Sequence, residues 1–151
     1  MQLVKRRNPM PLENFGSVLN FAEELETQDQ LFYATVAANP ACAENKELFE
    51  QFAADAKKNI KNAQRTRREN VTEMILEPIK DFVRAPFCEE CVGADSMNAE
   101  EALAAARRLE ERAVNYYNRA AEKIKALPEV ARALKTMGKK HNTHREKLAA
   151  L

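Results

Sequence analysis

A repeat that twice sets a carboxylate inside an apolar helical stripe constrains this chain more than any other feature. Leu25-Glu26 precedes Phe32-Tyr33 at the same spacing at which Leu109-Glu110 precedes Tyr116-Tyr117. Each Glu occupies a step of a stripe spaced by three and four residues. The first stripe is Leu19, Ala22, Glu26, Asp29, Tyr33 and Val36; the second is Leu103, Ala106, Glu110, Ala113, Tyr117, Ala120 and Ile124. The segments that follow also overlay, Glu47-Leu48, Phe52 and Lys57-Lys58-Asn59 on Glu129-Val130, Leu134 and Lys139-Lys140-His141. A chain that writes a helix pair twice is expected to fold as two helix hairpins. Burying an unpaired carboxylate costs several kcal/mol, so Glu26 and Glu110 each need a compensating partner in the interior.

Local signals set the element boundaries. The first helix is predicted from Asn14 to Ala38, stopped by Asn39-Pro40. The second is expected to start at Asn45 as N-cap, with Phe49, Phe52, Ala56, Asn59 and Ala63 on one face. Asn98, with Glu101 three residues on, forms a capping-box pattern for the third helix. Pro128 opens the fourth, whose stripe reads Val130, Leu134, Met137, His141, His144, Leu148 and Leu151. Between about 70 and 97 lies a long connection with Pro78, Pro86 and Gly93, an apolar stretch Met74-Ile75-Leu76 and an expected helical turn at Lys80 to Val83. A connection of that length inside one domain implies a crossover along the bundle. The organisation is therefore a tail over 1–13 and an all-α four-helix bundle over 14–151, built from two hairpins joined by the crossover.

Composition agrees with this class: 45% hydrophobic, 31% charged, three Gly and no Trp. A net charge of +1 argues against a nucleic-acid partner. The basic cluster Met1 to Arg7 is followed by Pro9, Pro11 and Glu13 where a secretion signal needs apolar residues, and no run approaches the ~20 apolar residues of a membrane span. Three cysteines without a secretion signal point to free thiols and a cytoplasmic location.

The Glu-x6-Tyr spacing on the first and third helices resembles rubrerythrin and its relatives in the ferritin-like superfamily, over most of Asn14 to Leu151. In that family the first and third helices each give a Glu, and the second and fourth each give a Glu-x-x-His pair, to hold two iron or manganese ions. The resemblance implies an oxidoreductase acting on peroxide or ferrous iron, a homodimer, and Glu26 and Glu110 as ligands. The pattern is incomplete. The second helix reads Ala56-Lys57-Lys58-Asn59 and the fourth Gly138-Lys139-Lys140-His141, so only His141 is kept. The single Cys88-Glu-Glu-Cys91 is not the paired set of a rubredoxin domain.

Two carboxylates neutralise one divalent ion, so one ion is expected rather than two, on Glu26, Glu110 and His141 with help from Asp29 or His144. Mixed carboxylate and imidazole donors suit iron, manganese or zinc. Set against this is a metal-free polar cluster in a structural or interaction bundle. Tyr33 and Tyr117 read as core aromatics placed to bond the site carboxylates. Cys88 and Cys91 read as incidental thiols, or as a zinc or redox pair. Lys57, Lys58, Lys61, Arg65, Arg67 and Arg68 read as a solvated basic face, or as a partner surface.

Overall fold

The computed structural model describes residues 11–70 and 79–151. Met74-Ile75-Leu76 lies outside them. Among the described residues the fold is all-helical, with four long helices: α1 (Phe15–Ala38), α2 (Lys46–Glu69), α3 (Ala99–Lys123) and α4 (Pro128–Ala149). α1 packs lengthwise on α2, and α3 on α4; α1 also meets α3, and α2 meets α4. No helix among these residues is long and apolar enough to cross a membrane.

Capping fixes the helix starts. Asn14 and Ser17 exchange side-chain-to-backbone hydrogen bonds at α1, and Asn98 and Glu101 do the same at α3. Asn45 does not cap α2 with its side chain. The 3-10 segment Pro40–Asn45 runs straight into the helix and leaves Asn45 near φ −110° and ψ 21°, away from the extended backbone an N-cap side chain needs.

Pairing across the bundle gives the helix directions. Tyr33 reaches Glu110 and Tyr117 reaches Glu26, so α1 and α3 run antiparallel. Asp55 meets His144 while Asn59 and His141 both meet Glu26, so α2 and α4 are antiparallel too. With each hairpin antiparallel, α2 and α3 point the same way, and the chain between them must return along the bundle. Its described part does so beside α1: Ile79 N–H donates to Glu13 O, Arg84 pairs with Glu24, Gln28 Nε2 donates to Glu89 O, and Asn39 Nδ2 donates to Ala94 O and Met97 O.

The expected helical turn at Lys80 to Val83 is not formed. Leu12 N–H donates to Phe82 O at 2.8 Å, Pro11 forms an isolated bridge with Val83, and Asp81 turns at φ 57°, so this segment is tied to the residues before α1 instead of coiling into a helix. The short helical turns of the connection's described part are Ala85–Phe87 and Ala94–Ser96. Leu12 is fully buried, so the end of the expected tail contributes to the core. Leu151, assigned to the fourth stripe, lies beyond α4 and is exposed.

Two apolar clusters fill the bundle. One gathers Phe15, Phe21, Tyr116, Tyr117 and Leu134; the other gathers Phe32, Tyr33, Phe49, Phe52, Leu109 and Leu148. Buried polar groups lie between them.

Candidate metal centre

Glu26, Asp29, Glu110, His141 and His144 are each at most 1% exposed, and all five come together. α1 supplies Glu26 and Asp29 one helical turn apart, α3 supplies Glu110, and α4 supplies His141 and His144 on one face. His141 is the hub. Its Nδ1 lies 2.6 Å from Glu110 Oε1 and its Nε2 lies 2.6 Å from Glu26 Oε2. The two tyrosines close the cluster from opposite sides: Tyr33 Oη donates to Glu110 Oε2, and Tyr117 Oη donates to Glu26 Oε2, each at 2.5 Å. Each hairpin thus provides the hydroxyl that holds the other hairpin's glutamate.

Two residues complete the site that the stripe reading missed. Asp55 on α2 is 3% exposed, and its Oδ2 lies 2.7 Å from His144 Nε2. Arg112 on α3 is 4% exposed and donates to Asp29 Oδ1 at 3.0 Å, to Gln28 Oε1 at 2.9 Å and to Phe87 O at 3.0 Å. Both were readable in principle. Asp55 is three residues after Phe52 and four before Asn59, and Arg112 falls in a second α3 stripe of Ala105, Leu109 and Tyr116. Asn59, which stands where the family pattern has a histidine, donates from Nδ2 to Glu26 Oε2 at 3.2 Å.

The electrostatics follow from this packing. Burial alone would push the Glu110 carboxyl up, but the imidazoles of His141 and His144 outweigh it and hold it at about 2. Burial would push His141 down, yet Glu26 and Glu110 hold it well above its usual 6.5, so the ring is an imidazolium that donates from both nitrogens. Asp29 is pushed up to about 7 by burial, against the pull of Arg112 and His141. Burial also acts on Asp55, but the hydrogen bond from His144 and the nearby Lys140 keep it below its ordinary value. The hydroxyls of Tyr33 and Tyr117 are raised well above 10 by burial and by the adjoining glutamates, and so remain donors.

These side chains could hold a metal ion. Glu110, His141 and His144 form one set with ligand atoms within 4.8 Å of one another, and Glu26, Asp29 and His141 form a second. Three buried atoms in the cluster have no hydrogen-bond partner: Glu26 Oε1, Asp29 Oδ2 and His144 Nδ1. All three are potential electron-pair donors to an ion.

Outside the centre, Cys88 and Cys91 are half-buried free thiols on the connection, and burial pushes both up. Cys42 is a buried free thiol in the 3-10 segment before α2. The α2 residues Lys57, Lys58, Lys61, Arg65, Arg67 and Arg68 are exposed. No protein-family model, curated protein or solved structure matches the chain.

Proposed function

We propose that this chain is a rubrerythrin-like protein of ferritin-like topology whose core binds one iron, manganese or zinc ion. The observation that carries the reading is the trio of buried, unpartnered atoms, Glu26 Oε1, Asp29 Oδ2 and His144 Nδ1, set among carboxylates and imidazoles. Buried polar atoms are satisfied as a rule, and a divalent ion satisfies several at once. One ion fits better than two, because both ligand sets draw on the single imidazole of His141. Two helices running the same way around a long connection support the ferritin-like topology. A bound iron or manganese would supply redox chemistry toward peroxide or toward iron itself. The protein's own contribution is a buried cluster with two tyrosine hydroxyls fixed on the glutamates. The homodimer implied by the resemblance is carried forward, to be read by sedimentation.

A second reading is favoured by a different observation. Both nitrogens of His141 sit 2.6 Å from carboxylate oxygens, so the imidazolium already supplies a cation between Glu26 and Glu110. In that reading the bundle is a metal-free structural or interaction protein. Metal analysis of protein purified without chelator separates the two. About one equivalent of iron, manganese or zinc supports the metal reading, and less than roughly a tenth of an equivalent supports the second. His141→Ala should abolish bound metal while leaving helical content intact; unchanged metal content would remove His141 from the site.

A further inference from the structure

We propose that the ion is held by Nδ1 of His141, Nδ1 of His144 and Glu110, and that Asp55 and Glu26 are positioning residues that fix the two rings. This rests on the metal reading above and selects one of its two ligand sets. An imidazole in a mononuclear site ligates through one nitrogen, and the other is normally tied to a carboxylate or carbonyl that fixes the ring. Here both rings are tied in the same way. His144 Nε2 meets Asp55 Oδ2 at 2.7 Å, and His141 Nε2 meets Glu26 Oε2 at 2.6 Å. That leaves Nδ1 of each ring for an ion, and both converge on one oxygen, Glu110 Oε1, at 2.6 Å and 3.3 Å.

The 3.3 Å approach is the informative one. His144 Nδ1 is buried and makes no hydrogen bond, although it stands 3.3 Å from Glu110 Oε1. An ion placed against both atoms would satisfy that nitrogen and the carboxylate together. Ligands on one ion with bonds of about 2.0–2.2 Å stand roughly 3 Å or a little more from one another, which matches His144 Nδ1 and Glu110 Oε1. The 2.6 Å hydrogen bond from His141 Nδ1 to Glu110 Oε1 must lengthen as the ion replaces its proton. When the ion enters, it replaces the proton on His141 Nδ1, which leaves to solvent; His141 Nε2–H still donates to Glu26.

The competing set, Glu26, Asp29 and His141, keeps two unpartnered oxygens, Glu26 Oε1 and Asp29 Oδ2, but the other oxygen of each carboxylate is already bound by the protein. Glu26 Oε2 accepts from Tyr117, Asn59 and His141, and Asp29 has the guanidinium of Arg112. Asp55 in turn is held from outside: Gln51 Nε2 donates to its Oδ1 at 3.1 Å, and Lys140 Nζ lies 3.8 Å from the same oxygen, which leaves Oδ2 to His144.

The test is a Zn²⁺ and Mn²⁺ titration of the full chain by calorimetry on wild type, Asp55→Ala, Asp55→Asn, His144→Ala, the double variant D55A/H144A, Glu26→Gln and Glu110→Gln. Circular dichroism verifies the fold of each. Loss of an orienting carboxylate typically weakens metal affinity by about 10–100-fold, so D55A should fall in that range. D55N keeps an oxygen that accepts from Nε2–H and should recover most of the loss. Adding D55A to H144A should cost nothing further, which a general structural role for Asp55 would not reproduce. E110Q should abolish binding, while E26Q should lose no more than about 100-fold. In metal-free wild type, long-range ¹H–¹⁵N spectra should find the His144 proton on Nε2, and D55A should lose that preference. Equal affinities for D55A and wild type, additive losses in the double variant, or E26Q as damaging as E110Q would overturn the assignment while leaving the metal reading in place. Wild type binding less than roughly a tenth of an equivalent removes the metal reading, and this assignment with it.

Discussion

Replacing His141 with alanine tests the central physical claim, that one imidazolium balances two buried glutamates. In chelator-treated protein the substitution leaves Glu26 and Glu110, each 0% exposed, without their shared cation; Tyr117, Asn59 and Tyr33 remain as neutral donors. Removing one member of a buried ion pair costs roughly 3–5 kcal/mol, mostly through the charge left behind. For a chain of this size each kcal/mol moves the midpoint by roughly 2–4 °C, so the expected fall in Tm is roughly 6–20 °C. The loss depends on pH in a fixed direction. Glu110 is lowered from 4.5 to about 2, so its stabilising contribution is present above 4.5 and is lost as pH falls toward 2. His141 is raised above 6.5, so its contribution is complete below 6.5 and is lost as pH rises through the folded-state value. The gap between wild type and H141A should therefore be widest between 4.5 and 6.5 and should narrow below that window. Thermal unfolding across pH reads this directly. A triple variant, H141A with Glu26→Gln and Glu110→Gln, should regain part of the loss, because the uncompensated charge is then gone. A fall in Tm under about 2 °C, or a triple variant no more stable than H141A, would refute the charge argument.

Three further expectations can be checked in the same apparatus. Arg112→Met should cost up to roughly 3 kcal/mol in denaturant titrations at pH 8, and less at pH 5, where the Asp29 carboxyl, at about 7 in the native protein, is already protonated. At pH 8 the native Asp29 carboxylate is ionised against Arg112, and the variant's carboxyl, pushed up further without the guanidinium, must take up a proton. In wild type, Asp29 should make stability decline as pH rises from 3.8 through about 7, because the folded state holds that proton more tightly; Asp29→Asn should flatten this part of the profile. Asn98→Ala removes the reciprocal cap with Glu101 and should cost about 1 kcal/mol without altering metal binding.

The parts of this molecule that were legible in its sequence are those fixed locally. Stripe period placed Glu26, Asp29, Glu110, His141 and His144 inward, and the capping box of Asn98 and Glu101 marked the start of α3. The parts that were not legible depend on remote partners. The Lys80 to Val83 segment has no helical turn because its backbone groups are taken by residues 11–13, a pairing no local pattern encodes. Asp55 has the spacing of the Phe52 and Asn59 face, but as a carboxylate just before a run of lysines it passes for surface until His144 is brought against it from α4. Arg112 reads as one more charge among Arg107, Arg108 and Glu111, and only the connection closing over it with Phe87 O buries the guanidinium. Charged residues are rarely fully buried without a partner, and these partners lie 89 and 83 positions away in sequence.

Gly138 lies one helical turn before His141, where the rubrerythrin pattern that the sequence resembles would have a glutamate. A Cβ built there would stand 3.0 Å from Tyr117 Cβ, so α3 and α4 meet tightly at this position. Tyr117 cannot easily move aside, because its hydroxyl is bound to Glu26 and its ring stacks on His141 with centroids 5.6 Å apart. Glycine to alanine inside a helix normally gains about 1 kcal/mol in propensity, whereas overpacking a tight contact costs roughly 1–3 kcal/mol. Gly138→Ala should therefore show no net gain in stability. Gly138→Glu should lose several kcal/mol more by adding a buried carboxylate, and should not create a second ion site even when combined with Ala56→Glu. Denaturant titration with metal stoichiometry measures both effects. A G138A protein stabilised by the full ~1 kcal/mol, or a double variant binding two ions, would mean that the helices can part there.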